Sequence, residues 1–170
     1  LEGTLEPDLK LALARKNGVD IGQSTVEEVQ ATYQFNDLTS FLAVYYPAMD
    51  VLQDEDDFHD LAAAYFERAR ANGVVRAECF FDPQAHTSRG IAIETVIRGY
   101  HRAVVEAREA GLSADLILCF LRDMSAESAL ETLQSALPYK DMFIGVGLDS
   151  DERDNPPTKF ADVFALAREA

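Results

Sequence analysis

Leu148-Asp149-Ser150-Asp151-Glu152-Arg153-Asp154-Asn155-Pro156-Pro157-Thr158-Lys159-Phe160 closes an apolar strand with clustered acids and then opens a helix. Phe143 to Leu148 supplies the strand, Pro156-Pro157 restricts the helix entry, and the helix is expected from Lys159 to the end of the chain. The same order stands twice upstream. Val74-Val75-Arg76-Ala77-Glu78-Cys79-Phe80-Phe81 reads as a strand, followed by a loop through Gly90 and a helix over Ala92 to Ala110 that Gly111 ends. Ala114 to Phe120 reads as the next strand, with its helix over Ala126 to Ala136. Three such units, roughly 30 to 40 residues apart, predict parallel strands joined by helical crossovers.

The segment before them reads as helices. Pro7 opens one that carries Leu9, Leu11, Leu13 and Ala14 and ends at Asn17-Gly18. Ser24 with Glu27 forms a capping box for a short helix to Tyr33. Asp37 starts a longer helix with Leu38, Phe41, Leu42, Tyr45 and Met49 on one face. Asp54 caps another, with Phe58, Leu61, Ala62, Tyr65 and Phe66 inward, that stops at Asn72-Gly73. Three parallel strands fit a small open sheet or a segment of an eight-stranded barrel. Leu1-Glu2-Gly3 reads as a strand exit and Phe164 to Ala170 as a helix without a Gly or Asn cap, which favours the barrel segment. The expected fold class is therefore α/β, a partial (β/α)8 TIM-type barrel with a helical N-terminal insertion after the first strand. Residues 1–170 are expected as a single partial barrel domain, with a helical segment over 1–72 and three strand-helix units over 73–170. Barrel sites sit on the loops after strands, so Glu2, Phe81 to His86, Leu121 to Met124 and Asp149 to Asp154 would share one face.

Composition narrows the function classes. The chain is 48% hydrophobic with 9 Gly and 6 Pro, an ordinary globular composition long enough to bury a core. Thirty acids against 15 bases leave a formal charge of -15, which repels nucleic-acid phosphates and anionic lipid, so neither is an expected partner. Cys79 and Cys119 are isolated within apolar runs and read as buried thiols of a cytoplasmic protein. No apolar run approaches the ~20 residues that span a bilayer.

Most local candidates for chemistry fail on spacing. His59, His86 and His101 stand apart, with no His-x-His, HExxH or Cys/His cluster, so no self-sufficient zinc site is expected. His59 and His101 read as solvated helix residues and His86 as a surface loop residue. Asp54-Glu55-Asp56-Asp57 lacks the oxygen spacing of a calcium loop and reads as a solvated helix N-terminus. Gly145-Val146-Gly147 lies inside a strand, away from any phosphate-binding turn. Asp149-Ser150-Asp151-Glu152 differs because an apolar strand delivers it to the functional face. Its alternative is a capped loop, with Asp154 or Asn155 preparing the next helix.

In order along the chain, Leu1-Glu2-Gly3, Thr4 to Pro7, Phe35-Asn36-Asp37-Leu38 into Phe41-Leu42, Val75-Arg76-Ala77-Glu78, Asp82-Pro83 and Leu148 to Phe160 resemble the adenosine/adenine deaminase family of zinc amidohydrolases. The resemblance covers essentially all 170 residues. Asp149-Ser150 with Asn155-Pro156-Pro157, and Gly147, resemble its adenine deaminases more than its adenosine deaminases. In the family, His-x-His precedes the Leu-acid-Gly motif, and a later His-x-Gly-Glu, His and Asp pair complete the centre. Those motifs do not occur here, so no catalytic and no metal residue is assigned within the chain.

The resemblance implies zinc-assisted deamination of a purine base, adenine to hypoxanthine and ammonia, with Zn2+ in the intact parent and none held by this chain alone. It implies that Glu2, Gly3, Asp149 and Ser150 bind substrate. Glu2 stands for a shorter Asp near the ribose in adenosine deaminases, and Ser150 for a Gly whose backbone N–H meets the purine. The helix with Leu38, Phe41, Leu42 and Tyr45 matches a hydrophobic lid, although ordinary core packing fits the same spacing. Two other readings stand beside this one, an adenosine deaminase and a catalytically empty α/β module that binds a ligand or protein partner.

Overall fold

The computed structural model describes residues 1–170. The chain opens with a 3-10 turn over Glu2–Thr4 and four helices, α1 Pro7–Asn17, α2 Val26–Ala31, α3 Leu38–Ala48 and α4 Glu55–Ala71. β1 Arg76–Phe81 then leads to α5 Pro83–Thr87 and α6 Ile93–Glu109, β2 Ser113–Leu121 to α7 Ala126–Ala136, and β3 Gly145–Asp149 to α8 Ala161–Glu169. The strands form one parallel sheet in the order β1-β2-β3, with Phe81 level with Leu118 and Leu121 level with Asp149. Parallel register brings all three strand exits to one side.

The local chemistry explains most boundaries. Gly18 ends α1 at φ +64, a left-handed position where a Cβ would be penalised. Asp37 and Asp54 each cap a helix by accepting an N–H three residues on. The box at α2 sits one residue later than Ser24 and Glu27 suggested. Thr25 accepts from Glu28 N–H while the Glu28 carboxylate accepts from Thr25 N–H. Ser24-x-x-Glu27 and Thr25-x-x-Glu28 are overlapping versions of one motif, and the extended backbone at Thr25 selects the second.

Three further expectations shift. β1 begins at Arg76, leaving Val75 77% exposed, because Val74-Val75 lies before the first ladder partner, Ser113. The loop to Gly90 contains α5, which Pro83 opens with its pre-set φ. The last helix enters through a 3-10 turn at Pro157–Phe160 and becomes α-helical only at Ala161.

Packing centres on α4, α6 and β2. The buried face of α6, Val96, Ile97, Tyr100, Ala103, Val104 and Ala107, follows the three- and four-residue spacing of one helical stripe. β2 is buried along nearly its whole length, as a central parallel strand should be. Asp57, expected to be solvated with its neighbours, is fully buried. It accepts from Lys16 Nζ at 2.7 Å, Asn17 Nδ2 at 2.7 Å, Gln53 N–H at 2.8 Å and Asp54 N–H at 3.1 Å. Burial raises its pKa, but these donors hold it below the ordinary carboxylate value. Lys16 therefore fills the role a bound cation would have played. No helix is long and apolar enough to cross a membrane.

α4 and α6 touch backbone to backbone at Gly99. A Cβ there would lie 2.5 Å from the Glu55 carbonyl and 2.7 Å from Phe58 Cβ. Gly99→Ala must push the two helices apart, and overpacking of this kind costs roughly 1–3 kcal/mol. We expect a clear drop in the urea midpoint with an unchanged m-value; an unchanged midpoint would mean that the crossing is looser than described.

Candidate functional site

Two of the three strands end in an acid or beside one. Asp82 follows β1, Asp149 closes β3, and Glu2 reaches the same place from the first turn. Glu2 is 1% exposed, and its Oε1 accepts from the Asp82 N–H at 3.1 Å and from His86 Nε2 at 3.0 Å. Arg89 lies on the other side of the imidazole, 3.0 Å from Nδ1, and arginine can only donate. Nδ1 must therefore accept, so the ring proton sits on Nε2 and is given to Glu2. Arg89 is itself held by the Met49 carbonyl at 2.8 Å and by the Leu52 carbonyl. Burial opposes ionisation of Glu2, but the Leu1 amine and His86 hold it well below the usual carboxylate range.

His86 is thus a correction: it is wholly buried, packed edge to face on Phe58 at 4.7 Å. Its place on α5, one turn before Arg89, puts both side chains on one helical face. The sequence offered a signal in Asp82-Pro83, an acid at an apolar strand exit followed by a helix-opening proline. His59 is half-buried, bonded to Asp60 at 3.0 Å and Glu106 at 2.9 Å, and His101 is also half-buried. Neither reaches the acid cluster.

One oxygen each of Asp82 and Asp149 and the Cys119 Sγ lie within 4.8 Å of one another. No Lys or Arg pairs with either carboxyl among the ion pairs of the chain. Two unpaired carboxylates this close cannot both ionise, so the couple holds a proton. Burial, Glu2 and Asp149 push Asp82 up to about 10. Burial also raises Asp149. Burial and the surrounding acids likewise keep the Cys119 thiol protonated. This donor set does not fit a catalytic zinc ion, because it contains no imidazole and only one sulfur beside two carboxyls.

Four of the eight expected substrate residues line a cavity of about 310 Å³, in the range of small-molecule sites. Glu2, Gly3, Phe41 and Tyr45 line it, with Tyr33 and Met49. Leu38 is 42% exposed, and neither it nor Leu42 is part of that lining. Asp149 and Ser150 stand beside it rather than in its wall. Ser150 holds φ +72, a left-handed conformation that costs a non-glycine residue ~1–2 kcal/mol. Its Oγ receives the Tyr46 hydroxyl at 2.5 Å, while Tyr45 donates to Asp82 Oδ2 at 3.4 Å. Beyond Ser150 the loop is closed by Arg122, whose Nε and Nη2 donate to the Asn155 carbonyl at 3.0 and 2.8 Å.

The family model described as adenosine deaminase matches residues 1–170. The chain belongs to the adenosine deaminase family. An adenine deaminase of Geotalea uraniireducens is 56% identical over 170 residues, covering 99% of this chain and 48% of that protein. The crystal structure of adenine deaminase from Arthrobacter aurescens superposes with a TM-score of 0.96 at 50% identity, over 99% of this chain and 52% of that one. An amidohydrolase from Burkholderia ambifaria with bound Zn gives a TM-score of 0.81 at 28% identity, over 99% of this chain and 47% of that one. The chain thus spans about half the length of the deaminases it matches, and its three parallel strand-helix units are part of the family's barrel.

The acids give a pH dependence with a definite sign. Groups whose pKa is raised on folding stabilise the native state below the unfolded value, near 3.9 for Asp, and lose that contribution as pH rises through the folded value. For Asp82 this window runs from about 4 to about 10. Glu2 acts oppositely, losing its contribution as pH falls below the ordinary carboxylate range. Asp149→Asn keeps a hydrogen-bonding partner for Asp82 but removes one charge. It should flatten the loss of thermal stability between pH 6 and pH 9 in a melting series. Parallel curves for the two proteins would rule out a shared proton.

Proposed function

We propose that this chain is one half of an adenine deaminase of purine salvage, a cytoplasmic enzyme that converts adenine to hypoxanthine and ammonia. The reading rests on one feature above the others. Glu2 lines the cavity with Oε1 committed to Asp82 and His86, while Oε2 takes no hydrogen bond and has only the Leu1 amine, 3.3 Å away, as an ion-pair partner. A buried carboxylate oxygen that takes no hydrogen bond is open to an N–H supplied by a ligand. Adenine carries a ring N–H where its nucleoside carries a sugar, so an acidic wall suits the free base. The similarity to proteins named adenine deaminase, across nearly the whole chain, supports the same choice.

Within this reading the chain supplies the purine-side wall, with Gly3 allowing close approach, the Ser150 N–H available to the ring and Phe41 and Tyr45 excluding water. The metal that the family's chemistry calls for would be held by residues outside these 170, and when bound it would acidify the attacking water. The acids here hold the base and keep its surroundings dry.

Two measurements test this. The full-length protein should release hypoxanthine and ammonia from adenine and leave adenosine nearly untouched, whereas the 170-residue chain should be inactive and metal-free by elemental analysis after dialysis against zinc. Preferential turnover of adenosine would replace the base with the nucleoside, and one tightly held zinc per chain would refute the assignment of the ligands elsewhere. Glu2→Asp withdraws the carboxylate from Asp82 and His86 and opens space beside it. The ratio of kcat/KM values should move toward adenosine by the ~1–3 kcal/mol expected of a methylene-sized change. A constant ratio would remove Glu2 from the sugar side of the pocket.

A further inference from the structure

Ser150 stands at a backbone conformation that glycine adopts freely, yet carries a side chain. Such strain persists where the surroundings over-determine it, and here the side chain has one hydrogen-bond partner. The Tyr46 hydroxyl lies 2.5 Å from Ser150 Oγ, across 104 residues of sequence, from the helix that roofs the cavity. That helix, α3, is otherwise thinly held. Ala48 is its one buried residue, and Pro47 inside its last turn provides no N–H to the ladder. Below Pro47, Met49–Val51 narrows to a 3-10 turn whose carbonyl neighbourhood is fixed by Arg89. The foot of the helix is anchored while its body is tied to the sheet by two phenols, Tyr46 on Ser150 and Tyr45 on Asp82.

We propose that Tyr46 is a positioning residue: its hydrogen bond to Ser150 latches α3 over the cavity, so that the Ser150 hydroxyl serves the lid and the substrate is left to the backbone N–H. The strained φ and the hydroxyl are then one device. Glycine at 150 would relax the turn but leave the lid untied. Opening pivots below Pro47 and exposes the aromatic run Phe41, Tyr45 and Tyr46, whose rings lie 5.3 and 5.2 Å apart in succession. What the lid covers rests on the reading given under Proposed function; that the latch exists does not.

The two parts are tested separately. Hydrogen exchange of the full-length protein, without any purine, reads the latch directly through the amides of residues 42–46 and 48. Tyr46→Phe and Ser150→Ala should each speed their exchange by roughly three- to ten-fold, the scale of one lost hydrogen bond. The double variant should be no faster than either single one. The β2 amides serve as the control that each variant is folded. Unchanged exchange in the single variants, or additive acceleration in the double, would overturn the latch. In the full-length protein the same variants should raise KM for adenine by a similar factor with kcat held or increased, since a looser lid binds less tightly and releases product sooner. A loss of kcat at constant KM would return Ser150 to direct contact with the reacting base. Absence of adenine turnover by the unaltered full-length protein would sink the deaminase reading alone, with the exchange result still deciding the latch.

Discussion

A carboxylate taken out of water must be met by donors, and the structure around the strand exits is arranged to meet Glu2. The Asp82 N–H and the His86 imidazole converge on one of its oxygens. His86 can donate there only because Arg89 occupies its other nitrogen, and Arg89 is aimed by the Met49 and Leu52 carbonyls. This chain of hydrogen bonds ties the first turn, the β1 exit, α5 and the foot of α3 into one unit. Hydrogen bonds to charged groups are worth more than neutral ones, and each group here would be orphaned if its neighbour were lost. The site's geometry therefore rests on a relay rather than on any single contact.

A second electrostatic solution lies beside the first. Glu2 remains ionised because it has donors, whereas Asp82 and Asp149 have no cation and keep a proton between them. Three carboxyls in one neighbourhood thus divide into an acceptor and a donor-bearing couple.

Stability and mobility are supplied by different layers. The tight α4–α6 crossing at Gly99 and the buried β2 make a rigid base, which meets the site through Phe58 against His86 and through Cys119 beside the two aspartates. The roof, α3, buries only Ala48 fully and half-buries Phe41, Leu42, Val44, Tyr45 and Tyr46, with two phenol hydrogen bonds tying it to the strand exits. Segments that must move to admit a ligand are drawn from the weakly packed part of a fold.

Local chemistry in the sequence was enough to place the helices capped by Asp37 and Asp54, the stop at Gly18, and three strand-helix units with their parallel order, because each depends on neighbours a few residues apart. It also marked Asp149 and Ser150, since an acid at the end of an apolar strand is visible in one line of text. It misplaced His86 and Asp57, which look like loop and surface residues until partners from elsewhere bury them. His86 lies 84 residues from Glu2, and Asp57 is 41 residues from Lys16. The proton shared by Asp82 and Asp149, and the Tyr46 latch on Ser150, likewise join residues that no local pattern relates. Burial and charge pairing are properties of the assembled fold: they depend on which distant groups meet in a low-dielectric interior, and only the tertiary structure decides that.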